Sequence, residues 1–385
     1  MSLIRPLRAE DLPALGALWL RAFQRSGTAS GVERYFREVF LDYDLALAHD
    51  PANPCTGEVP ASLVREDAAG VVVGFVGAIP RRMVFRGRPI RAVVTTQLMV
   101  DPARRRGLAA FDLLRALFAG PQDLTFCDGA NERSQHVWER SGGEVARLYS
   151  LDWTRILRPA GYLQRRLALA REDRVARAAR VALPLCRAVD AISGSLASLD
   201  RAAAIGVPLG RPRARLADED LGCAAVCAIL DETLPAPSLR PSYDPASLAW
   251  LLDQAERTRG HGPLRRRLCR DASGEAVGWY VYYAKPDGLA QVLQLGGKPG
   301  AIGDVLASLF ADAYAAGSVA VVGQADPRWL REITDAHATF ACRSFGVLIH
   351  AKNQEISSAL QRGDSALSRL DGEWWLRFAA DSFEE

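Results

Sequence analysis

The sequence predicts an α+β protein: two mixed β-sheets carried on separate stretches of chain and joined by a helical connector. Three patterns predict it. Residues 1–156 alternate strand and helix signals around three consecutive strands, which marks an antiparallel meander inside a mixed sheet. Residues 213–354 return the same outline, and two short segments echo one another across the halves. Residues 157–212 are rich in Ala, Leu and Arg and read as helical, while residues 355–385 form a tail with an aromatic end.

Taken in order, Ile4–Leu7 reads as a strand and Glu10–Phe23 as a helix with Leu12, Leu15, Leu18 and Leu20 on or near one face; a second helix falls near Val32–Phe40. Ala61–Arg65, Val71–Ile79 and Ile90–Val100 read as strands joined by Asp67-Ala-Ala-Gly70 and Arg86-Gly-Arg-Pro89 turns. A helix over Arg105–Phe118, a strand Leu124–Cys127, a helix over Glu132–Ser141 and a last strand through Glu144–Trp153 complete the first copy. The second copy has strands at Val277–Tyr283, Ala290–Leu295, Val319–Gly323 and Ser344–His350, and the connector is interrupted at Pro184. The echoes pair Leu7-Arg-Ala-Glu-Asp-Leu12 with Leu216-Ala-Asp-Glu-Asp-Leu221, 209 residues on, and Asp67–Phe75 with Asp271–Trp279, 204 residues on. Matching order at a nearly constant offset indicates a duplicated domain with small insertions.

A chain of 385 residues is long enough for two cores, and 49% hydrophobic with 24% charged residues is an ordinary soluble composition. The N-terminus carries charges where a signal peptide needs an apolar stretch, and the most apolar window, Ala301–Gly323, is broken by Asp304 and Asp312. No membrane is expected, and the chain reads as cytoplasmic. Seven cysteines without metal-ligand spacing and five scattered histidines predict reduced thiols and no metal. A net charge of +3 does not imply nucleic acid. The arginines of the connector, at 171, 174, 177 and 180, recur every third position as the solvated face of an amphipathic helix.

The segment that carries chemistry is Gln97-Leu-Met-Val-Asp-Pro-Ala-Arg-Arg-Arg-Gly-Leu-Ala-Ala110, a strand running through an arginine-rich loop into a helix. The first N–H groups of a helix lack intrahelical partners and sit at the positive end of its dipole, so such a start can hold a phosphate by its main chain. A Cβ at Gly107 would keep that phosphate away, and small Ala109 and Ala110 allow closer approach.

Arg104-Arg-Arg-Gly107-Leu-Ala109 resembles the Arg/Gln-x-x-Gly-x-Gly/Ala signature of the GCN5-related N-acetyltransferase superfamily. Asn131-Glu-Arg-Ser134-Gln-His-Val-Trp138-Glu-Arg-Ser-Gly142, beginning 24 residues after Gly107, keeps the spacing of that family's Asn-x-x-Ala-x-x-x-Tyr-x-x-x-Gly motif. The resemblance implies two acyl-CoA N-acyltransferase domains in tandem and acetyl-CoA as co-substrate. It implies that Leu98, Met99 and Val100 pair with the pantetheine arm, that Arg104, Arg105, Arg106, Gly107, Leu108 and Ala109 hold the pyrophosphate, and that Asn131 contacts the cofactor arm. Direct attack of a small polar amine on the thioester is the implied reaction.

Two positions depart from the family. Gln97 stands where a Glu often acts as base, and Trp138 stands where a Tyr protonates the leaving thiolate. Asp128 and Tyr149 are the candidate base and acid in their place. In the second copy the loop Leu295-Gly-Gly-Lys-Pro-Gly-Ala-Ile-Gly303 lacks the signature, and Pro299 removes a backbone donor, so that copy is expected to be degenerate. The aromatic tail is expected to fold back, with Trp374, Trp375 and Phe378 buried or with Asp371 or Glu373 at the acceptor site. A non-catalytic acyl-CoA binding protein and a ligase using aminoacyl-tRNA stay open as alternatives, and so do the acceptor and the oligomeric state.

Overall fold

A computed structural model describes residues 3–23, 28–42, 61–104, 108–168, 182–196, 211–234, 238–343 and 346–376. Arg105, Arg106, Gly107, the four periodic connector arginines and Phe378 lie outside those residues. In chain order the strands are β1 (Leu3–Pro6), β2 (Leu63–Glu66), β3 (Val72–Phe85), β4 (Arg88–Val100), β5 (Leu124–Ala130), β6 (Glu144–Val145), β7 (Leu151–Ile156), β8 (Ala217–Asp220), β9 (Leu239–Pro241), β10 (Leu264–Arg270), β11 (Ala276–Tyr283), β12 (Leu289–Gly297), β13 (Ala320–Gln324), β14 (Thr339–Cys342) and β15 (Gly346–Ala351). The helices are α1 (Leu12–Phe23), α2 (Ala29–Phe36), α3 (Ala109–Phe118), α4 (Glu132–Arg140), α5 (Pro159–Ala168), α6 (Leu183–Leu196), α7 (Cys223–Thr233), α8 (Pro245–Arg257), α9 (Ile302–Ala315), α10 (Leu330–Asp335) and α11 (Gln354–Gln361). None of the described helices is long and apolar enough to cross a membrane.

The chain divides into two compact units, one of Met1–Ser150, Pro237–Tyr243 and Arg343–Glu385, the other of Leu151–Ala236 and Asp244–Cys342. The first holds the sheet β1-β2-β3-β4-β5-β15-β6, with β9 paired to β3; the second holds β8-β10-β11-β12-β13-β7-β14. The two orders match strand for strand in sense as well: an antiparallel run of four, one parallel step (β4 to β5, β12 to β13), then two antiparallel strands.

One strand of each sheet comes from the other half of the sequence. The reading of residues 1–156 as one domain placed the strand through Trp153 in the first sheet and Ser344–His350 in the second. The structure exchanges them, with β7 in the second sheet and β15 in the first. Local pattern cannot tell the two apart, because a strand buried on both faces reads as a plain apolar run whichever sheet receives it. Val347, Leu348 and Ile349 of β15 are all buried. In the connector a helix, α6, begins where the interruption was expected, with Pro184 in its first turn, where proline is tolerated.

The second echo has the same hydrogen bonds in both copies. Asp67 Oδ1 accepts from the N–H groups of Ala69 and Val71, and Asp271 Oδ1 accepts from those of Ser273 and Glu275. Gly70 and Gly274 close the two turns at φ 77° and 85°, where a side chain would be strained. The first echo does not superpose, since Ala9–Asp11 is a 3-10 turn while Ala217–Asp220 is strand β8. The Arg86-Gly87 turn is tighter than expected: both residues have positive φ, 48° and 77°, as a two-residue hairpin requires, so β3 and β4 run on to Phe85 and from Arg88.

Of the tail aromatics that are described, Trp375 is buried, while Trp374 is partly buried with the Arg369 guanidinium 4.7 Å from its ring. Trp375 is 0% exposed and its indole Nε1 donates to the Leu370 carbonyl at 3.1 Å.

The exchange can be tested with a native cysteine. Leu348 of β15 is the cross-strand partner of Cys127 on β5. Leu348→Cys is expected to form a disulfide with Cys127 on mild oxidation, read as a linked peptide pair by mass spectrometry; failure to recover that pair counts against β15 lying in the first sheet.

Candidate active site

Strands β4 and β5 stay together for only three residue pairs, Ala92 to Leu124, Val93 to Thr125 and Val94 to Phe126, and then part. A bulge in β4 lies just past the point of parting. Gly77 pairs with Thr96 and Phe75 with Met99, so Gln97 and Leu98 face Val76 alone, and Gln97 takes φ 53°. From Thr95 onward β4 has no strand partner on the β5 side among the described residues.

A cleft of about 440 Å³ opens along this stretch of β4. Leu98, Met99, Val100 and Asn131 all line it, together with Ala110 of α3 and Val137 of α4. Four of the sequence-predicted cofactor residues are thus brought together. Asn131 is also the N-cap of α4, its side-chain oxygen accepting from Ser134 N at 2.9 Å, which by itself explains its position. Leu108, 68% exposed, precedes Ala109 at the start of α3, and no side chain caps that start. Arg104 reaches back to Asp67 at 2.7 Å.

Where the strands part, a second group of residues gathers that the sequence offered no motif for. The tail carries Glu373 to this point. Its carboxylate lies 3.0 Å from where a Cβ of Gly129 would be, and the Thr96 hydroxyl, the Cys127 thiol and the Gly129 N–H all favour its charged form. Burial outweighs them, with the neighbouring Asp128 adding to it, and the Glu373 carboxyl is pushed up to about 8. Glu373 Oε2 and Thr96 Oγ1 are buried without a well-formed hydrogen bond, which leaves the hydroxyl a weak stabiliser.

Asp128, the predicted base, holds the tail. Its Oδ1 accepts from Glu373 N at 2.6 Å and Trp374 N at 3.0 Å, and the Arg343 guanidinium stands 3.9 Å from Oδ2 while donating to the Asp128 carbonyl at 3.1 Å. Burial raises this carboxyl too, but Arg343 and the two N–H groups pull it back, so of the pair Asp128 keeps the charge and Glu373 takes the proton. Arg81 donates to the Asp371 carbonyl at 2.8 Å, and the Asp371 carboxylate is held by Ser368 and Tyr243. Gly372 sits where any Cβ would fall 2.3 Å from the Asp128 carboxyl carbon.

Tyr149 is placed differently from expectation. It lies in the 3-10 turn Leu148–Ser150, not on a strand, and is 0% exposed among Met83, Phe126 and Leu360. Its hydroxyl donates to the Ser365 carbonyl at 2.8 Å, and it does not line the cleft. Trp138 is buried edge-on against Phe118 at 5.1 Å between ring centroids. Gln97 donates to the Tyr35 hydroxyl at 2.8 Å.

No family model and no curated protein matches the chain by sequence. Solved structures do match by shape. A conserved protein of unknown function from Enterococcus faecalis V583, a probable N-acyltransferase, aligns at TM-score 0.58 and 11% identity over 91% of this chain and 73% of its own. GCN5-related N-acetyltransferases from Anabaena variabilis and Kribbella flavida align at 0.55 and 0.53, with 11% and 13% identity, over 92% and 91% of this chain and 74% and 71% of theirs. The fold is that of the GCN5-related N-acetyltransferases. Within that fold, the parted strands and the bulge follow from the register of β3, β4 and β5, while Glu373 belongs to this chain's own tail.

Two measurements probe the acid pair. The Glu373 carboxyl takes its proton near pH 8 when folded and near 4.5 when free, so the unfolded chain ionises first. Stability contributed below pH 4.5 is then lost as the pH rises towards 8. Glu373→Gln is expected to remove this loss, raising the melting temperature over wild type at about pH 9 but not at about pH 4; an unchanged difference between the two would mean that Glu373 ionises freely. Gly372→Ala is expected to cost about 1 to 3 kcal/mol in denaturant unfolding by pushing the tail off Asp128.

Proposed function

We propose that the first unit is an acyl-CoA dependent N-acyltransferase, with acetyl-CoA as donor and a small polar amine as acceptor. The observation that carries this is the cleft along β4 beyond its pairing with β5, lined by Leu98, Met99, Val100 and Asn131, with Glu373 buried beside Gly129. An extended pantetheine arm fits such an edge because a strand beyond its pairing with β5 can be joined by an added strand on that side. The uncapped start of α3, next to the loop of Arg104, Arg105, Arg106 and Gly107, supplies main-chain donors for a pyrophosphate, with Leu108 and Ala109 at the helix start.

In this reading β4 positions the thioester carbonyl at the bulge, where the main chain around Leu98 can donate to the oxygen as negative charge builds on it. The acceptor nitrogen bonds to the carbonyl carbon, the carbon–sulfur bond breaks, and Glu373 in its ionised form takes the proton that the nitrogen loses. Asp128 acts at one remove: it fixes the tail through two N–H groups and raises the Glu373 carboxyl by its charge. The burial of Tyr149 and its bond to Ser365 argue for packing over acid catalysis. A thiolate leaving group, with a free thiol near 8.5, departs without a strong acid.

Calorimetry with acetyl-CoA tests the binding half. Gly107→Val should weaken binding by roughly a hundredfold, the loss of two charge-assisted hydrogen bonds, with circular dichroism unchanged. Unaltered affinity in the folded variant removes the basis for an acyl-CoA site. Thiol release with a panel of amines tests the chemistry: Glu373→Gln should lower kcat by about 10² to 10⁴ while leaving acetyl-CoA affinity intact, and the wild-type rate should climb as pH approaches 8. Binding without turnover of any amine would make the chain an acyl-CoA binding protein.

A further inference from the structure

We propose that the second unit binds a small organic oxyanion, a phosphate or carboxylate on an apolar body, through Arg155. Arg155 lies on β7 and is 8% exposed. Its guanidinium has no hydrogen bond and no ion pair among the described residues, and its Nε is buried without a partner. Its guanidinium carbon stands 5.9 Å from the centre of the Phe310 ring. A buried charge without a counter-charge is strongly unfavourable, and such groups persist in proteins where something supplies the missing charge.

The space for that something is present. Arg155 lines a cavity of about 630 Å³, a volume suited to a small-molecule ligand. Ala307 and Phe310 of α9 and Ala336 after α10 give it an apolar wall, and Arg213 and Arg215 stand at its edge. Glu332 and Asp335 also line it, but neither lies within ion-pair distance of Arg155, and burial is the one influence on the guanidinium, lowering its proton affinity. They are placed instead to accept from donor groups on the ligand body.

Comparison with the first unit explains how the cavity arises. Arg155 pairs with Val321 on β13, as His350 pairs with Thr125 on β5. His350 stacks flat on Phe118 at 4.1 Å, and Trp138 of the nine-residue α4 closes over the same ring. In the second unit α10 has six residues, α9 ends in Ala315 where α3 ends in Phe118, and Phe310, further back on α9, lines the cavity with Arg155. The loop in this unit lacks the acyl-CoA signature, so the ligand need not be a coenzyme.

The test uses the full chain with three probes: inorganic phosphate, adenosine monophosphate and benzoate, each in calorimetry and thermal melting, against wild type and Arg155→Met. At least one probe is expected to bind wild type, and its affinity should fall by about a hundredfold in Arg155→Met. In the absence of any probe, Arg155→Met should melt higher than wild type, since it removes an uncompensated charge. Phosphate or nucleotide as the stronger probe would mark the ligand as a phosphate, benzoate as a carboxylate. Binding unchanged in Arg155→Met would assign the probe to the loop at Gly107 and overturn the proposal, as would no binding of any probe at millimolar concentration. Acetyl-CoA affinity should be equal in both proteins, which separates this test from that of the first unit.

Discussion

The separation of β4 from β5 after three residue pairs is the constraint from which the candidate site follows. A sheet that ran on in register would have no cleft, no unpaired edge and no room for a side chain between the strands. The bulge at Gln97 and Leu98 lies just beyond that separation, and burying the resulting gap is a physical problem the chain must solve. It does so with its own tail. The N–H groups of Glu373 and Trp374 satisfy Asp128, Gly372 permits the close approach, and the Glu373 carboxyl is left in a setting where its ionisation falls near neutral pH.

Much of this was legible in the sequence. The strand–loop–helix around Gln97–Ala110 and the spacing to Asn131 identified the cleft residues, because both depend on local geometry at helix starts. The repeated Asp-x-x-Gly turn located equivalent hairpins, since its hydrogen bonds lie within a few residues. Glu373 was reached only through the aromatic residues beside it, which signal burial but not location. What placed it is a set of contacts to Arg81, Asp128 and Gly129, all more than two hundred residues away along the chain. The setting of Tyr149 was not legible for the converse reason: a tyrosine near a strand end looks the same in sequence whether its hydroxyl faces a cleft or donates to a backbone carbonyl.

The two sheets show how one topology can be kept while its chemistry changes. Both have the single parallel step and the antiparallel strand beyond it. In one, an aromatic pair and a stacked histidine fill the space beside Phe118; in the other, an arginine meets Phe310 over a cavity. The side chains beside the sheet thus differ while the order and sense of the strands do not.

The crossing of β7 and β15 bears on how the chain comes to be folded at all. A nascent chain that has emerged as far as Ser150 lacks the strand that lies against β5, and that strand arrives only with residues 346–351. Until then β5 presents an open edge of paired-strand geometry to every other chain nearby, the kind of edge on which aggregation begins. Synthesis therefore imposes a waiting period on the first sheet that its length alone would not. The same crossing ties the halves together as genetic modules: cutting between them would take from each sheet the strand that continues it past its parallel step, and leave β6 and β14 without the neighbour they pair with.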